Sequence, residues 1–436
     1  MAKIEPRTLP GFMELLPNEQ IKFNEMKEKI QKSYEKFGFL PLNTPIIELS
    51  EILLAKAGGE TEKQIYRFTK GDSDLSLRFD LTVPLAKYVA MHQNELAFPF
   101  RRYQIGKVYR GERPQKGRFR EFYQCDIDII GDNELNIIND AEIPSVIYNT
   151  FKELGFGDFT ICVNNRKILN GFFEGLNLKE KSVDVLRIID KLDKIGIDNV
   201  KQELEKIEIS KETIEKIAEF ILVSGNSEEK LEYLKNMNIE NDTFKTGVEE
   251  LAQVVKYMKL LGIPEENFKV DLTIARGLDY YTGTVYETFL NNYREIGSVC
   301  SGGRYDNLAG FYTDKKLPGV GVSIGLTRLF YKLNELDVIK SDKESMAKVL
   351  VVALEGDSSI CLPVATKLRN AGINTQVYMD DKKIKAKFKY ADRLKIPYVA
   401  ILGENEVQNN TVSLKNMVTG EQKEVTIDEA INLLKA

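Results

Sequence analysis

Apolar and polar positions change rhythm several times along the chain. Residues 1 to about 170 mix helical spacing, as in NEQIKFNEMKEKIQKSYEKFGF, with apolar strands such as FPFRRYQIGKVYRG. From about 178 to 262, Glu, Lys, Leu and Ile recur at intervals of three and four, which predicts an all-helical insertion. Strand character returns in FKVDLTIARGLDYYTGTVYETFL and runs on to GVGVSIGLTRLFYKLNEL. SDKESMA, residues 341–347, is polar and turn-rich and predicts a linker. Beyond it the pattern restarts with KVLVVAL, the helical LPVATKLRNA, NTQVYMD, a helix containing KYADRLK, and YVAILG. That order predicts a small α/β unit with a largely parallel sheet over 348–436, following a first body over 1–340.

RRYQIGKVYRGERPQKGRFREFYQCDIDIIG, residues 101–131, predicts two antiparallel strands around a long loop. The loop and its edges hold Arg110, Arg113, Lys116, Arg118 and Arg120. Cations so close together repel one another unless an anion is present, and arginine favours planar, bidentate capture of phosphate. On the returning strand, Gln124, Asp126 and Asp128 alternate with Tyr123, Cys125, Ile127 and Ile129. A polar face of that kind needs a polar ligand or solvent, and an exposed sheet beside a basic loop satisfies it equally well.

Three further stretches carry candidate chemistry. In SLRFDLTVPLAKYV, Asp80 and Thr82 fall where a strand gives way to a helix, a position that suits a ligand or a helix cap. In RGLDYYTGTVYE, residues 276–287, a turn delivers Arg276 to the start of a half-buried strand. In GVGVSIGLTRL, a glycine-studded strand enters a helix whose first turn carries Arg328, near the end of the helix dipole that favours anions. SGGRYDNLAG, just before it, is a glycine turn open to close approach. Neither stretch fits a Walker loop or a dinucleotide fingerprint.

Composition narrows the chemistry. The 436 residues are 43% hydrophobic and 29% charged, as in ordinary globular proteins, and their number suggests about three domains. Cys125, Cys162, Cys300 and Cys361 are too scattered for a zinc site or a disulfide framework, so no metal site is expected. His92 is the sole histidine, which argues against a Ser–His triad. The net charge of −5 argues against wholesale binding of nucleic acid but leaves room for local basic patches, such as the five lysines of DKKIKAKFK, residues 381–389. No apolar run spans a bilayer and MAKIEPRTLPGF is no signal peptide, so a cytoplasmic location is expected.

The arginine-ended hairpin resembles motif 2 of the class II aminoacyl-tRNA synthetases, and GVGVSIGLTRL resembles their motif 3. The helix leading through FGFLPLNTPIIE, with Pro45, resembles the motif 1 dimer element. RGLDYYTGTVYE, SGGRYD and RTLPGFMELLPNEQ are similar to the histidyl-tRNA synthetase branch, and the likeness covers essentially the whole chain. It implies an α+β catalytic domain with an antiparallel sheet flanked by helices, a helical insertion and a C-terminal α/β anticodon-binding domain. It implies ATP-dependent activation of L-histidine, transfer to tRNA(His), and a homodimer. Arg110 would hold the α-phosphate of ATP near the histidine carboxylate. Glu112, Arg118 and Arg328 would serve ATP, the two arginines on its outer phosphates with magnesium. Asp80 and Thr82 would take the α-amino end of histidine, Gln124 and Asp128 would add to its pocket, and Tyr280, Tyr281 and Tyr305 would line the imidazole side. Arg276 would face the α-phosphate and touch histidine as the bond forms, with Asp279 anchoring its turn. Bacterial-type members commonly carry Glu where this chain has Asp80 and Asp128, which shortens the reach by one methylene.

No protein base is needed for activation, because a carboxylate is already the nucleophile. A different reading is a synthetase-like regulatory subunit of histidine biosynthesis, which binds histidine and charges no tRNA. Such relatives typically lack the terminal module and erode the motif arginines, all of which stand here.

Overall fold

The hairpin expected at 101–131 forms in the computed structural model, which describes residues 3–55, 60–113, 116–189, 191–274, 281–306, 309–339 and 343–435. Its strands, Phe100–Tyr109 and Glu121–Ile130, belong to an eight-stranded sheet. The spatial order is Leu40–Pro41, Phe100–Tyr109, Glu121–Ile130, Gly319–Gly325, Cys300–Tyr305, Thr284–Leu290, Phe159–Asn165 and Phe268–Val270. Neighbours run antiparallel except the two edge strands, Leu40–Pro41 and Phe268–Val270, which pair in parallel.

Alternation decides what each face does. Cys125, Ile127 and Ile129 are fully buried on one side of Glu121–Ile130, each isoleucine contributing roughly 1.5–3 kcal/mol. Tyr34, buried in the helix Pro17–Lys36, donates to the carbonyl of Cys125 at 3.0 Å. Ser33 bonds Thr150 of the helix Ile138–Leu154 at 2.8 Å. At the start of that second helix, Asp140 accepts from Nε and Nη2 of Arg304 and from Thr284 Oγ1, while Tyr286 donates to its carbonyl. A buried carboxylate with its charge paired and both oxygens bonded is tolerable where a bare one is not. This cover corrects one expectation: the strand Thr284–Leu290 is buried at every position but Phe289, not half-buried.

Following Phe159–Asn165 and the helix Arg166–Gly175, helices Ser182–Ile189, Leu192–Lys206, Lys211–Ile221, Ser227–Asn236 and Asp242–Leu260 succeed one another. Ser210, Asn226 and Asn241 cap three of them by accepting backbone N–H groups. Gly171 and Gly247 let Arg166–Gly175 and Asp242–Leu260 cross closely; a Cβ on Gly171 would lie 2.4 Å from Phe244 N.

By its internal packing the chain divides into residues 1–13 with 26–338, and residues 14–25 with 339–436. The second unit holds a five-stranded sheet in the order Thr375–Val377, Val349–Ala353, Tyr398–Leu402, Thr411–Asn416, Gln422–Thr426. The first three strands are parallel and the last two antiparallel, so this sheet is mixed and not largely parallel. KVLVVAL is apolar at every position but its first because both faces are covered. Val349, Val351 and Ala353 pack with Leu368 and Leu434, and Leu350 and Val352 pack with Ala391 and Ile396. The lysines of 381–389 do not all line one surface. Lys387 is 1% exposed, its ammonium donating to the carbonyl of Ala353 at 2.8 Å, while Lys382, Lys383, Lys385 and Lys389 are exposed.

Candidate active site

The polar face of Glu121–Ile130 floors a cavity of about 530 Å³. Pairing on both sides arranges that floor in three rows. Asp128 lies between Arg102 and Gly321, Asp126 between Gln104 and Ser323, and Gln124 between Gly106 and Gly325. The glycines make the room. A Cβ on Gly321 would stand 2.1 Å from Asp128 Oδ1, and one on Gly319 would stand 2.4 Å from the Tyr305 ring. Thus the glycine-studded strand lets Asp128 and Tyr305 lean across it.

At the deep end Asp128 is engaged through both oxygens. Tyr305 donates to Oδ1 at 2.8 Å, and Arg102, wholly buried on the outgoing strand, meets Oδ2 at 2.6 Å. Burial pushes the Asp128 carboxyl up, and Arg102 and the Tyr305 bond pull it back. Asp126, 3% exposed, is pushed up to about 7 by burial, with Arg102 opposing and Asp128 adding to the rise. Among the described residues its Oδ1 has no hydrogen-bond partner, and neither has Gln124 Oε1, although Gln124 Nε2 donates to Ser323 Oγ at 2.8 Å.

Asp80 faces the same cavity and also starts the helix Thr82–His92. Its Oδ1 accepts from the backbone N–H of Thr82 at 3.1 Å and of Val83 at 2.9 Å. The capping role open to Asp80 and Thr82 therefore belongs to Asp80, whose carboxyl burial raises and these N–H bonds lower. Thr82 also lines the cavity. His92, at the far end of that helix, pairs with Glu95 at 2.9 Å and is no part of the lining.

The other end is cationic. Arg110 lies between two rings, its Cζ 4.4 Å from the Phe79 centroid and 5.1 Å from that of Phe122, and Nε donates to the carbonyl of Phe79. Arg118 faces Glu112 at 3.5 Å, and Arg328 donates to the carbonyl of Ile296. The loop is held against the helix Leu326–Glu335. Phe119 meets Tyr331 edge-on at 5.2 Å, and Lys116 pairs with Glu335 at 3.3 Å. Preset guanidinium groups above a carboxylate floor suit a ligand with a polyanionic end and a donor-rich end.

Asp80, Thr82, Arg110, Glu112, Arg118, Gln124, Asp128, Tyr281, Tyr305 and Arg328 thus share one cavity. Arg276, Asp279 and Tyr280 lie outside the described residues. Two groups do not stand out from the sequence as site residues. Asp126 is visible in the alternation but matches no motif position, and Arg102 shows its place only once hairpin register sets it opposite Asp128.

Residues 11–329 match the family model of histidyl-tRNA synthetase, and residues 348–436 that of an anticodon binding domain. The histidine–tRNA ligase of Clostridium tetani is 61% identical over 433 residues, covering 99% of this chain and 98% of that one. The crystal structure of histidyl-tRNA synthetase from Nostoc sp. PCC 7120 matches with a TM-score of 0.91, at 40% identity and 99% coverage of both chains. A structure from Bacillus halodurans described as an ATP phosphoribosyltransferase regulatory subunit/histidyl-tRNA synthetase covers 92% of this chain and 99% of its own, with a TM-score of 0.75. At 18% identity it speaks to fold alone. The chain belongs to the histidyl-tRNA synthetase family.

Proposed function

We propose that this chain joins L-histidine to ATP, forming histidyl-adenylate and pyrophosphate, and passes the histidyl group to the 3′ end of tRNA(His). The observation that carries the reading is one cavity with a carboxylate and tyrosine floor at one end and three arginines at the other. The histidine carboxylate attacks the α-phosphate beside Arg110, whose ring-stacked guanidinium needs no reorganisation to meet the growing charge. Arg118, Arg328 and Glu112 serve the outer phosphates, which carry magnesium with them. Asp80 and Thr82 receive the α-ammonium, and Gln124, Asp128, Tyr280, Tyr281 and Tyr305 enclose the ring. Arg276 supplies a second cation to the α-phosphate.

Residues 348–436 take the anticodon, helped by the exposed Lys382, Lys383, Lys385 and Lys389. The protein works in the cytoplasm as a homodimer through its motif 1 region, where Leu40, Ile46, Ile47 and Leu49 are exposed apolar side chains. Among the described residues, no helix is long and apolar enough to cross a membrane. The regulatory reading is not favoured, because the histidine–tRNA ligase of C. tetani matches over essentially its full length.

The test is ATP–pyrophosphate exchange across the twenty amino acids, followed by charging of tRNA. Exchange with histidine alone and a charged tRNA(His) are expected. Histidine binding without exchange or charging would return the regulatory subunit.

A further inference from the structure

Gln124 has no side chain beside it in its own row of the floor: Gly106 lies on one flank and Gly325 on the other. Its amide is tethered diagonally instead. Nε2 donates to Ser323 Oγ at 2.8 Å, while Oε1 is buried and has no hydrogen-bond partner among the described residues. Ser323 stands directly across from Asp126 on the strand Gly319–Gly325 and is its hydrogen-bond partner.

These three groups fix one another's direction. An amide nitrogen only donates, so Ser323 Oγ accepts from Gln124 and its own proton must go elsewhere. Asp126 takes it, and a carboxylate oxygen is the stronger acceptor because the bond is charge-assisted. Turning the amide around would set Gln124 Oε1 against Ser323 Oγ and call the hydroxyl proton away from Asp126. A buried acceptor without a donor is costly, and a ligand N–H that meets it removes that cost. We propose that Ser323 is a positioning residue for the amino acid: anchored on Asp126, it holds the Gln124 amide with the nitrogen tied back and the oxygen bared. Gln124 then meets an N–H of bound histidine as an acceptor only, and Ser323 and Asp126 act through it. This rests on the reading of the cavity as a histidine site.

The experiment measures histidine-dependent ATP–pyrophosphate exchange in the parent, Ser323→Ala and Ser323→Thr, and repeats the alanine change in a Gln124→Glu background. Ser323→Ala releases the amide and should raise the KM for histidine roughly 2- to 13-fold, as for one lost neutral hydrogen bond, with the KM for ATP within about twofold of parent. Ser323→Thr keeps the hydroxyl and should restore most of the loss, which a role in packing alone would not produce. A glutamate at 124 has an acceptor at both terminal atoms and no wrong way round, so there Ser323→Ala should change the histidine KM by less than about twofold. Should that background exchange too slowly to measure, threonine against alanine decides alone. A parental histidine KM in Ser323→Ala, equal rises for histidine and ATP, no rescue by threonine, or an undiminished loss in the Gln124→Glu background overturns the positioning role. No exchange with histidine in the parent would overturn the functional reading itself, and this inference with it.

Discussion

The eight-stranded and the five-stranded sheets of this protein use their interiors differently. In Val349–Ala353 both faces are apolar, and neighbours on either side are packed by aliphatic residues. In Glu121–Ile130 one face is equally apolar, but the other buries Asp126 and Asp128 under a cavity. The first arrangement gains stability from every side chain. The second gives some of it up, because desolvated carboxylates need partners, and one of them finds only part of what it needs. A strand that is polar on a buried face is therefore the stronger pointer to chemistry than a basic loop, which solvent alone could explain.

That contrast can be broken most forcefully at the Arg102–Asp128 pair. Asp128→Leu leaves a buried guanidinium without its carboxylate and should cost ~3–5 kcal/mol in urea unfolding. Arg102→Met combined with Asp128→Leu should recover most of that loss while histidine-dependent exchange stays low. On the other sheet, Leu350→Ala should cost about 2–5 kcal/mol by leaving a cavity, with exchange per folded molecule unchanged. If the double variant were as unstable as the single one, the pair would be a structural requirement and not a concession to the ligand.

Next in size is Arg276. Loss of a preset donor that meets charge only in the transition state typically costs on the order of 10²–10³ in rate. Arg276→Ala should slow single-turnover adenylate formation by about that factor, with Arg276→Lys between it and the parent, since lysine keeps the charge without the planar fork. Transfer from preformed adenylate to tRNA should suffer less. Parental adenylate formation in Arg276→Ala would make RGLDYY a structural turn.

A smaller effect separates the sheets by pH. Asp126 is held at about 7 in the folded chain against an ordinary 3.8, so between those values the folded state binds the extra proton. Stability from this group is then lost as pH rises from about 4 to 7, at no more than ~1.4 kcal/mol per pH unit. Asp126→Asn lacks that dependence, so its stability relative to the parent should climb over the same range and level off above it. A constant difference from pH 4 to 8 would mean that Asp126 is ionised throughout.

The mildest change concerns the second unit. Replacing Lys382, Lys383, Lys385 and Lys389 by alanine should weaken tRNA use at limiting tRNA and leave exchange alone. The log–log salt slope should flatten by about one for each phosphate that the variant no longer neutralises. Charging that keeps its parental salt slope would make these lysines a solvated surface.

Much of this is legible in the sequence because period-two and period-3.6 patterns are strong where one face is buried. The hairpin, the carboxylates of its returning strand and the five alternating elements after residue 348 all declare themselves that way. What stays hidden depends on pairing or on helix phase. Arg102 reads as one more cation until register sets it against Asp128. Gln422–Thr426 is a polar edge strand with little contrast between its faces, so its antiparallel pairing with Thr411–Asn416 gives no clear signal. Lys387 lies four residues before Ala391, on the buried side of Ile384–Arg393, and its apolar stem lets the ammonium reach Ala353.

The glycines at 319 and 321 reach beyond the two side chains they admit. They carry no reactive group, accept no proton and hold no charge, so a survey for catalytic chemistry passes over them. Yet the methyl group of an alanine at Gly321 would need the space that Asp128 Oδ1 fills, and one at Gly319 would need that of the Tyr305 ring. The shape of the pocket is written in side chains that these two positions never had. At such positions the tolerated alphabet shrinks to a single letter while every conventional sign of function is blank.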